Sequence, residues 1–399
     1  MTALVDAILA EAKAAGASDV HLRPAAESLE MDWRLDGVLQ HVATLPAAVK
    51  ANVVARLKVI AGLLTYHADR PQEGRLRFSA EESSESLSDG VEMRLSVVPT
   101  VHGEKAVVRL FVGSGRYRQL GDLGLPDDVR QTIGRALAET GGVLLISGPA
   151  GSGKTTTAYA AMRELASVSK TGNSSTQAVP LPIQRRSLVS LEDPIEAVLP
   201  EVAQSQVNPQ ADFMYAAGLK ALLRQDPEVI LVGEIRDAET AAVVFQASLT
   251  GHLVLTTFHA GSAAEAVSRL LDMQLEPYQL RSGLLAVLNQ RLVRTLCECA
   301  VWSDRPEDRL GLDVNRSRVP VGCEACGGAG YAGRRVLAEL LLPGHSETGG
   351  AILERADANT IEAKAMAAGM ISHRQRVIDA VTAGLTSAEE VRRTFGFGR

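Results

Sequence analysis

Leu4, Val5, Ile8, Leu9, Ala12 and Ala15 recur at helical spacing through residues 3–15, and Gly16 follows where a helix would be capped. The period then changes. Leu29, Met31, Trp33 and Leu35 alternate with Glu30, Asp32 and Arg34, the pattern of a half-buried strand, and the turn pair Asp36-Gly37 leads to a second strand through Val38 and Leu39. Pro46 opens a helix with Val49, Val53, Val54, Leu57 and Ile60 on one side. Further strands are expected around 75–78, 91–97 and 105–111, with the Glu- and Ser-rich stretch 81–90 as a solvated hairpin loop. Residues 1–112 therefore read as a small mixed α/β domain, followed over 113–121 by a linker that begins Gly113-Ser114-Gly115.

From about Asp122 onward, apolar strand patterns alternate with helical ones, which suits a parallel sheet. The strand candidates are 143–146, 188–191, 229–232 and 253–257. A polar stretch, 170–186, carries Pro180 and Pro182 and reads as an inserted loop. Residues 351–399 read as amphipathic C-terminal helices, which completes a second domain over 122–399.

The first of those strands runs into Gly148-Pro149-Ala150-Gly151-Ser152-Gly153-Lys154-Thr155, and a helix continues through Thr156 and Thr157. Strand, glycine loop and helix in that order match the loop that wraps the phosphates of ATP or GTP. Its glycines let successive N–H groups turn inward at a helix N-terminus, Lys154 reaches the outer phosphates, and the Thr155 hydroxyl ligates Mg²⁺.

Hydrolysis also needs a carboxylate on a neighbouring strand. Val229-Ile230-Leu231-Val232-Gly233-Glu234 supplies one, and Glu234 is the candidate to orient or deprotonate the attacking water. The strand at 188–191 ends in Glu192-Asp193-Pro194, so Glu192 either assists Glu234 or holds Mg²⁺ through water. His252 and His259 bracket the strand at 253–257; each is a candidate donor to the γ-phosphate or a structural residue.

The chain has 399 residues, enough for two or three domains. Its 46% hydrophobic and 22% charged content is that of a globular protein, and its net charge of −6 argues against a nucleic-acid partner. No apolar run approaches the roughly 18 residues of a membrane span, and Asp6 and Glu11 interrupt any signal-peptide pattern, so the expected compartment is the cytoplasm. The four cysteines, Cys297, Cys299, Cys323 and Cys326, then raise metal binding rather than disulfides. Cys323-x-x-Cys326 has good ligand spacing; Cys297-x-Cys299 is one residue shorter than the usual pair, which leaves zinc or free thiols open.

Taken together, the motifs resemble the secretion ATPase superfamily, the hexameric motors of type II secretion and type IV pili. The run 218–237, with Arg224-Gln225-Asp226-Pro227 and Gly233-Glu234-Ile235-Arg236-Asp237, carries the likeness. So do Leu191-Glu192-Asp193-Pro194-Ile195-Glu196, similar to that family's Asp box, and 250–259, similar to its His box. Gln290-Arg291-Leu292-Val293-Arg294, Gly330-Tyr331-Ala332-Gly333-Arg334 and, upstream, Ser18-Asp19-Val20-His21, Arg34-Leu35-Asp36-Gly37, Pro71-Gln72-Glu73-Gly74-Arg75 and His102-Gly103-Glu104-Lys105 add to it.

The resemblance implies an α/β fold: a RecA-like P-loop motor domain preceded by a small PAS-like α+β domain. It also implies that Arg94 and Arg109 reach the nucleotide's outer phosphates as arginine fingers, and that the cysteines over 297–326 form the zinc module of assembly motors, which retraction motors lack. A homohexamer using ATP and Mg²⁺ on an inner-membrane platform protein is the implied assembly. The chain begins almost at the arginine-bearing domain, without the further N-terminal domain by which many assembly motors dock. Pilus retraction, a DNA-handling ring ATPase and a non-hydrolysing nucleotide-gated scaffold are the competing readings; the acidic balance weighs against the DNA motor and the intact catalytic set against the scaffold.

Overall fold

The computed structural model describes residues 1–77, 92–110, 117–167 and 186–396. The expected loop at 81–90, the strand ends at Phe78, Val91 and Phe111, the linker residues 113–116 and the insertion up to residue 185 lie outside the described residues. The chain divides into two compact units, Met1–Ser114 and Gly115–Arg399.

In the first unit, α1 (Thr2–Ala14) precedes β1 (Asp19–Pro24), β2 (Ser28–Leu35) and β3 (Val38–Pro46); α2 (Ala47–Ile60) then leads to β4 (Gln72–Arg77), β5 (Glu92–Thr100) and β6 (Gly103–Leu110). The hairpin between β2 and β3 turns through Asp36 and Gly37, both at positive φ, as the Asp-Gly pair predicts. The sheet order is β3-β2-β1-β6-β5-β4, antiparallel throughout. One face is apolar because the alternating residues Val20, Leu22, Met31, Trp33, Leu95 and Val108 pack with Val5, Ile8 and Leu9 of α1 and Val53 and Leu57 of α2. Side chains of opposite parity face outward, Arg94 and Arg109 among them.

The second unit opens with α3 (Asp127–Ala138), β7 (Gly142–Ser147), α4 (Lys154–Ser167), β8 (Leu188–Glu192) and β9 (Ala203–Gln206). It continues with α5 (Tyr215–Leu222), β10 (Val229–Val232), α6 (Ala238–Leu249), β11 (Leu253–Phe258), α7 (Ala263–Asp272), α8 (Pro277–Gly283) and β12 (Leu284–Leu296). A small pair, β13 (Val301–Ser303) and β14 (Ser317–Val319), precedes β15 (Tyr331–Leu341) and the helices α9 (Ser346–Leu353), α10 (Ala358–Ala367), α11 (His373–Thr382) and α12 (Ala388–Phe395). Leu120, inside the segment read as linker, is buried among the apolar side chains of this unit.

The sheet order is β15-β12-β7-β11-β10-β8-β9, parallel except for β15. Every residue of β7, β8, β10 and β11 is buried, as expected where helices cover both faces of a parallel sheet. Val143 and Leu145 join the apolar layer on one face, Leu144 and Ile146 the layer on the other. Asp237, Ser262, Ser372 and Ser387 cap α6, α7, α11 and α12 with side-chain hydrogen bonds, each contributing about 1 kcal/mol.

Candidate functional site

β7, β11, β10 and β8 run parallel and in register, so Ser147, Phe258, Val232 and Leu191 end along one edge of the sheet. The chain leaves β7 at Gly148 with φ +145°, where a Cβ would stand 2.4 Å from the Gln290 carbonyl oxygen. Only glycine fits that position. Pro149, Ala150 and Gly151 are exposed, Ser152 is buried, and α4 begins at Lys154 after Gly153. The first N–H groups of a helix lack intrahelical acceptors, so Lys154, Thr155 and Thr156 present theirs to the loop. Lys154 is 8% exposed and its Nζ donates to the carbonyls of Gly148 (3.0 Å) and Pro149 (2.9 Å). Burial pushes its pKa down, while the negative charge of Glu234 pulls it up.

Glu234 leaves the same edge after β10. Its Oε1 accepts from Arg236 Nε at 2.6 Å and its Oε2 lies 3.7 Å from His259 Nε2. Arg236 also holds Asp193 through Nη1 at 3.0 Å, and the Thr257 hydroxyl donates to the Gly233 carbonyl at 2.7 Å. His259 follows β11; burial and then Lys154 push its pKa down. Lys154, Glu234 and His259 therefore form one electrostatic cluster at the mouth of the glycine loop.

Glu192 is 3% exposed. Its Oε2 accepts from the Tyr159 hydroxyl, and its Oε1 from Ser190 Oγ at 2.6 Å and Gln204 Nε2 at 3.0 Å, which ties β8 to α4. One expectation changes here, that of His252. This histidine precedes β11, whose first residue pairs with Gly142 at the start of β7, so it stands roughly 20 Å from the loop edge. There its Nδ1 meets the Ala247 carbonyl at 3.0 Å, which makes it a structural residue at the end of α6.

In the first unit, Arg94 and Arg109 are direct cross-strand neighbours on β5 and β6. Arg94 pairs with Glu73 at 2.8 Å and Arg109 with the buried Asp19 at 3.1 Å.

The four cysteines converge. Their Sγ atoms all lie within 4.8 Å of one another. Cys297 to Cys323, Cys299 to Cys326 and Cys323 to Cys326 measure 3.8, 3.9 and 3.7 Å. A tetrahedron with Zn–S bonds of about 2.3 Å has edges of about 3.8 Å, so the set fits zinc. The short spacing of the first pair is absorbed by a turn in which Ala300 N donates to the Cys297 carbonyl at 3.0 Å. In the second pair the N–H groups of Cys323 and Gly330 hold the Cys326 thiol down at about 6.

The description "Type II/IV secretion system protein" matches residues 1–393. The chain belongs to that family. A type II secretion system ATPase E of Vibrio cholerae is 39% identical over 98% of this chain and 74% of its own length. A type IV pilus assembly ATPase PilB of Thermus thermophilus is 37% identical over 97% of this chain. The chain spans 42% of the length of that pilus relative. The ATPase DotB of Legionella pneumophila shares the fold, with a TM-score of 0.68 at 21% identity over 98% of this chain and 95% of that one. Among the described residues no helix is long and apolar enough to cross a membrane.

Sequence reasoning overlooked β12, and with it two residues that this family member uses to build the site. Gln290, fully buried, donates to the Ser152 carbonyl at 2.7 Å and accepts from the Thr157 hydroxyl at 2.9 Å, bracing the glycine loop from behind. The next side chain along, Asn289, points the other way and donates to Ser147 Oγ (2.9 Å) and the Ala260 carbonyl (3.1 Å). Its Oδ1 must then accept, so His373 on α11 donates to it from Nε2 at 2.8 Å. Glu339 on β15 accepts from the backbone N–H groups of Ala263 (2.7 Å) and His373 (3.1 Å).

Burial moves these two ionisable groups in opposite directions. It raises Glu339 from 4.5 to about 7, and it lowers His373 from 6.5 to about 3 with help from Arg291 and Arg376. Between about pH 4.5 and 6.5 the folded chain holds one extra proton at Glu339 and lacks one at His373, so their contributions cancel. Single variants should expose the opposed slopes. Relative to wild type, stability of His373→Gln should fall as pH rises through that window, by up to about 1.4 kcal/mol per unit, and that of Glu339→Gln should fall as pH drops. Urea midpoints at pH 5 and 6.5 decide it; parallel profiles for all three proteins would show that neither group titrates as described.

Proposed function

We propose that the chain is the ATP-hydrolysing motor of a type II secretion or type IV pilus-assembly machine, a homohexamer acting on an inner-membrane platform protein at the cytoplasmic face. The observation that carries this reading is the meeting of the Gly148–Thr156 loop, Glu234 and His259 on one sheet edge, in a chain 39% identical to a type II secretion ATPase. The finer fold names follow: RecA-like with a P-loop for the second unit, PAS-like for the first.

In this reading Lys154 exchanges the Gly148 and Pro149 carbonyls for β- and γ-phosphate oxygens, and the first-turn N–H groups of α4 face the same phosphates. Thr155 holds Mg²⁺, whose charge offsets that of the phosphates. Glu234 takes up the proton of the attacking water, and His259, neutral because its pKa is depressed, donates to the γ-phosphate. Tyr159, Ser190 and Gln204 keep Glu192 as the anchor of this edge. In the assembled ring Arg94 and Arg109 bind the outer phosphates with forked donors. Cys297, Cys299, Cys323 and Cys326 hold a structural zinc.

Light scattering on the eluting protein tests the assembly. With ATP and Mg²⁺, the Glu234→Gln protein should elute at about six times 42.3 kDa. A monomer at every concentration, with or without nucleotide, would overturn the ring.

A further inference from the structure

Four arginines and one carboxylate stand in a single transverse row on the outward face of the first unit's sheet. Arg34 on β2 lies opposite Asp19 on β1, Asp19 opposite Arg109 on β6, Arg109 opposite Arg94 on β5, and Arg94 opposite Arg75 on β4. Asp19 is the acid in this row and it is buried, at 5% exposure. Sequence reading found it only as part of Ser18-Asp19-Val20-His21 and gave it no role.

Its partners are set out as a clamp. Oδ1 accepts from Arg109 Nε at 3.1 Å; Oδ2 accepts from Ser18 Oγ at 2.8 Å and lies 3.4 Å from Arg34 Nε. Arg34 is itself tied to the Gly37 carbonyl through Nη1 at 3.2 Å, so the far side of the clamp is fixed to the β2–β3 turn. Arg109, by contrast, keeps a side chain that is 66% exposed. The hydrogen bond to Asp19 runs through Nε, so Asp19 fixes the plane of the guanidinium while Nη N–H donors remain for a further acceptor. The neighbouring arginine has no such clamp: Arg94 pairs with Glu73, whose side chain is 57% exposed, and pairs of that kind constrain little.

We propose that Asp19 is the positioning residue of Arg109, holding its guanidinium so that the Nη pair is presented to a phosphate group. The inference rests on the reading of Arg109 as a phosphate-binding arginine. An unclamped arginine must give up several rotatable bonds each time it engages, whereas one already oriented by a buried carboxylate gives up fewer in reaching the transition state. The cost of losing the clamp therefore falls on turnover more than on binding.

A double-mutant cycle on ATP hydrolysis by the full chain tests this. Asp19→Asn should lower kcat about tenfold with little change in KM for ATP, and should have no further effect when Arg109 is already Ala. Arg109→Lys is the probe that does not depend on a buried site tolerating change: it keeps the charge at an exposed position and removes both the Nε contact and the Nη pair. It should lose at least as much as Asp19→Asn, and adding Asp19→Asn to it should change nothing more. Equal losses from Asp19→Asn in the presence and absence of Arg109 would make Asp19 a structural residue only, and wild-type kcat in Arg109→Lys would show that orientation is irrelevant; either result overturns the proposal. Wild-type kcat in Arg109→Ala is a different failure, because it removes the phosphate-binding role of Arg109 itself.

Discussion

Glu234→Gln protein is expected to bind ATP with near wild-type affinity and to hydrolyse it at less than about a hundredth of the wild-type rate. The substitution keeps the shape of the side chain and keeps an oxygen to accept from Arg236 Nε, now at 2.6 Å. It removes only the ability to take a proton. Glu234 is the acid best placed for that step: it leaves the sheet edge beside the glycine loop, and its free oxygen lies 3.7 Å from His259. Asp193 shares Arg236 with Glu234, and Glu192 bonds Tyr159, Ser190 and Gln204. The negative charge of Glu234 raises the Lys154 pKa, so its loss makes the lysine somewhat easier to deprotonate, but it also removes a like charge from beside the phosphates that Lys154 is proposed to bind; binding should survive. Phosphate release and fluorescent-nucleotide titration on the same preparation separate the two effects. Turnover within a few-fold of wild type would remove Glu234 from the chemistry and shift attention to a base supplied by another residue.

How much of this was legible beforehand depended on what each residue had to do. β10, Val229–Val232, was read to the residue because a short, wholly buried apolar strand has a simple signature. β12 was missed for the opposite reason. Its apolar run is broken by Asn289 and Gln290, which are buried because they brace the glycine loop and the segment after His259. A functional demand erased the pattern that would have announced the strand. His252 shows a different limit. Sequence locates a residue at the end of a strand, but strand direction decides which end faces the site, and His252 stands at the far end. The cysteines were half legible: their spacing left zinc or free thiols open because of the short Cys297-x-Cys299 pair, and the turn at Cys297–Ala300 brings all four sulfurs together.

That convergence sets up the second large effect. The segment between Leu296 and Tyr331 has almost no core of its own: Leu296, Ala300 and Tyr331 make one small apolar cluster, while Val301, Trp302 and Val321 are exposed. Its only sheet is the three-residue pair β13 and β14, and two-stranded sheets are marginal in water. Gly322 permits the knuckle, since a Cβ there would meet the Gly328 carbonyl at 2.5 Å, but a permitted turn is not a held one. Val314 and the Arg318 guanidinium, which donates to the Ala300 and Gly384 carbonyls, tie the segment in part, and zinc bound by the four sulfurs would add on the order of 10 kcal/mol of folding free energy. Purified protein should therefore carry about one zinc per chain. Cys326→Ser should lose that metal and make the segment between β12 and β15 the first to be cut by trypsin, at Arg309 and Arg316. The sheet edge that holds Lys154 and Glu234 lies on strands with their own buried layers, so ATP binding should outlast the loss. Metal analysis and limited proteolysis on one sample suffice. A chain that carries no metal and yet resists trypsin in this segment would mean that thiol packing alone holds it, and the zinc reading would fall.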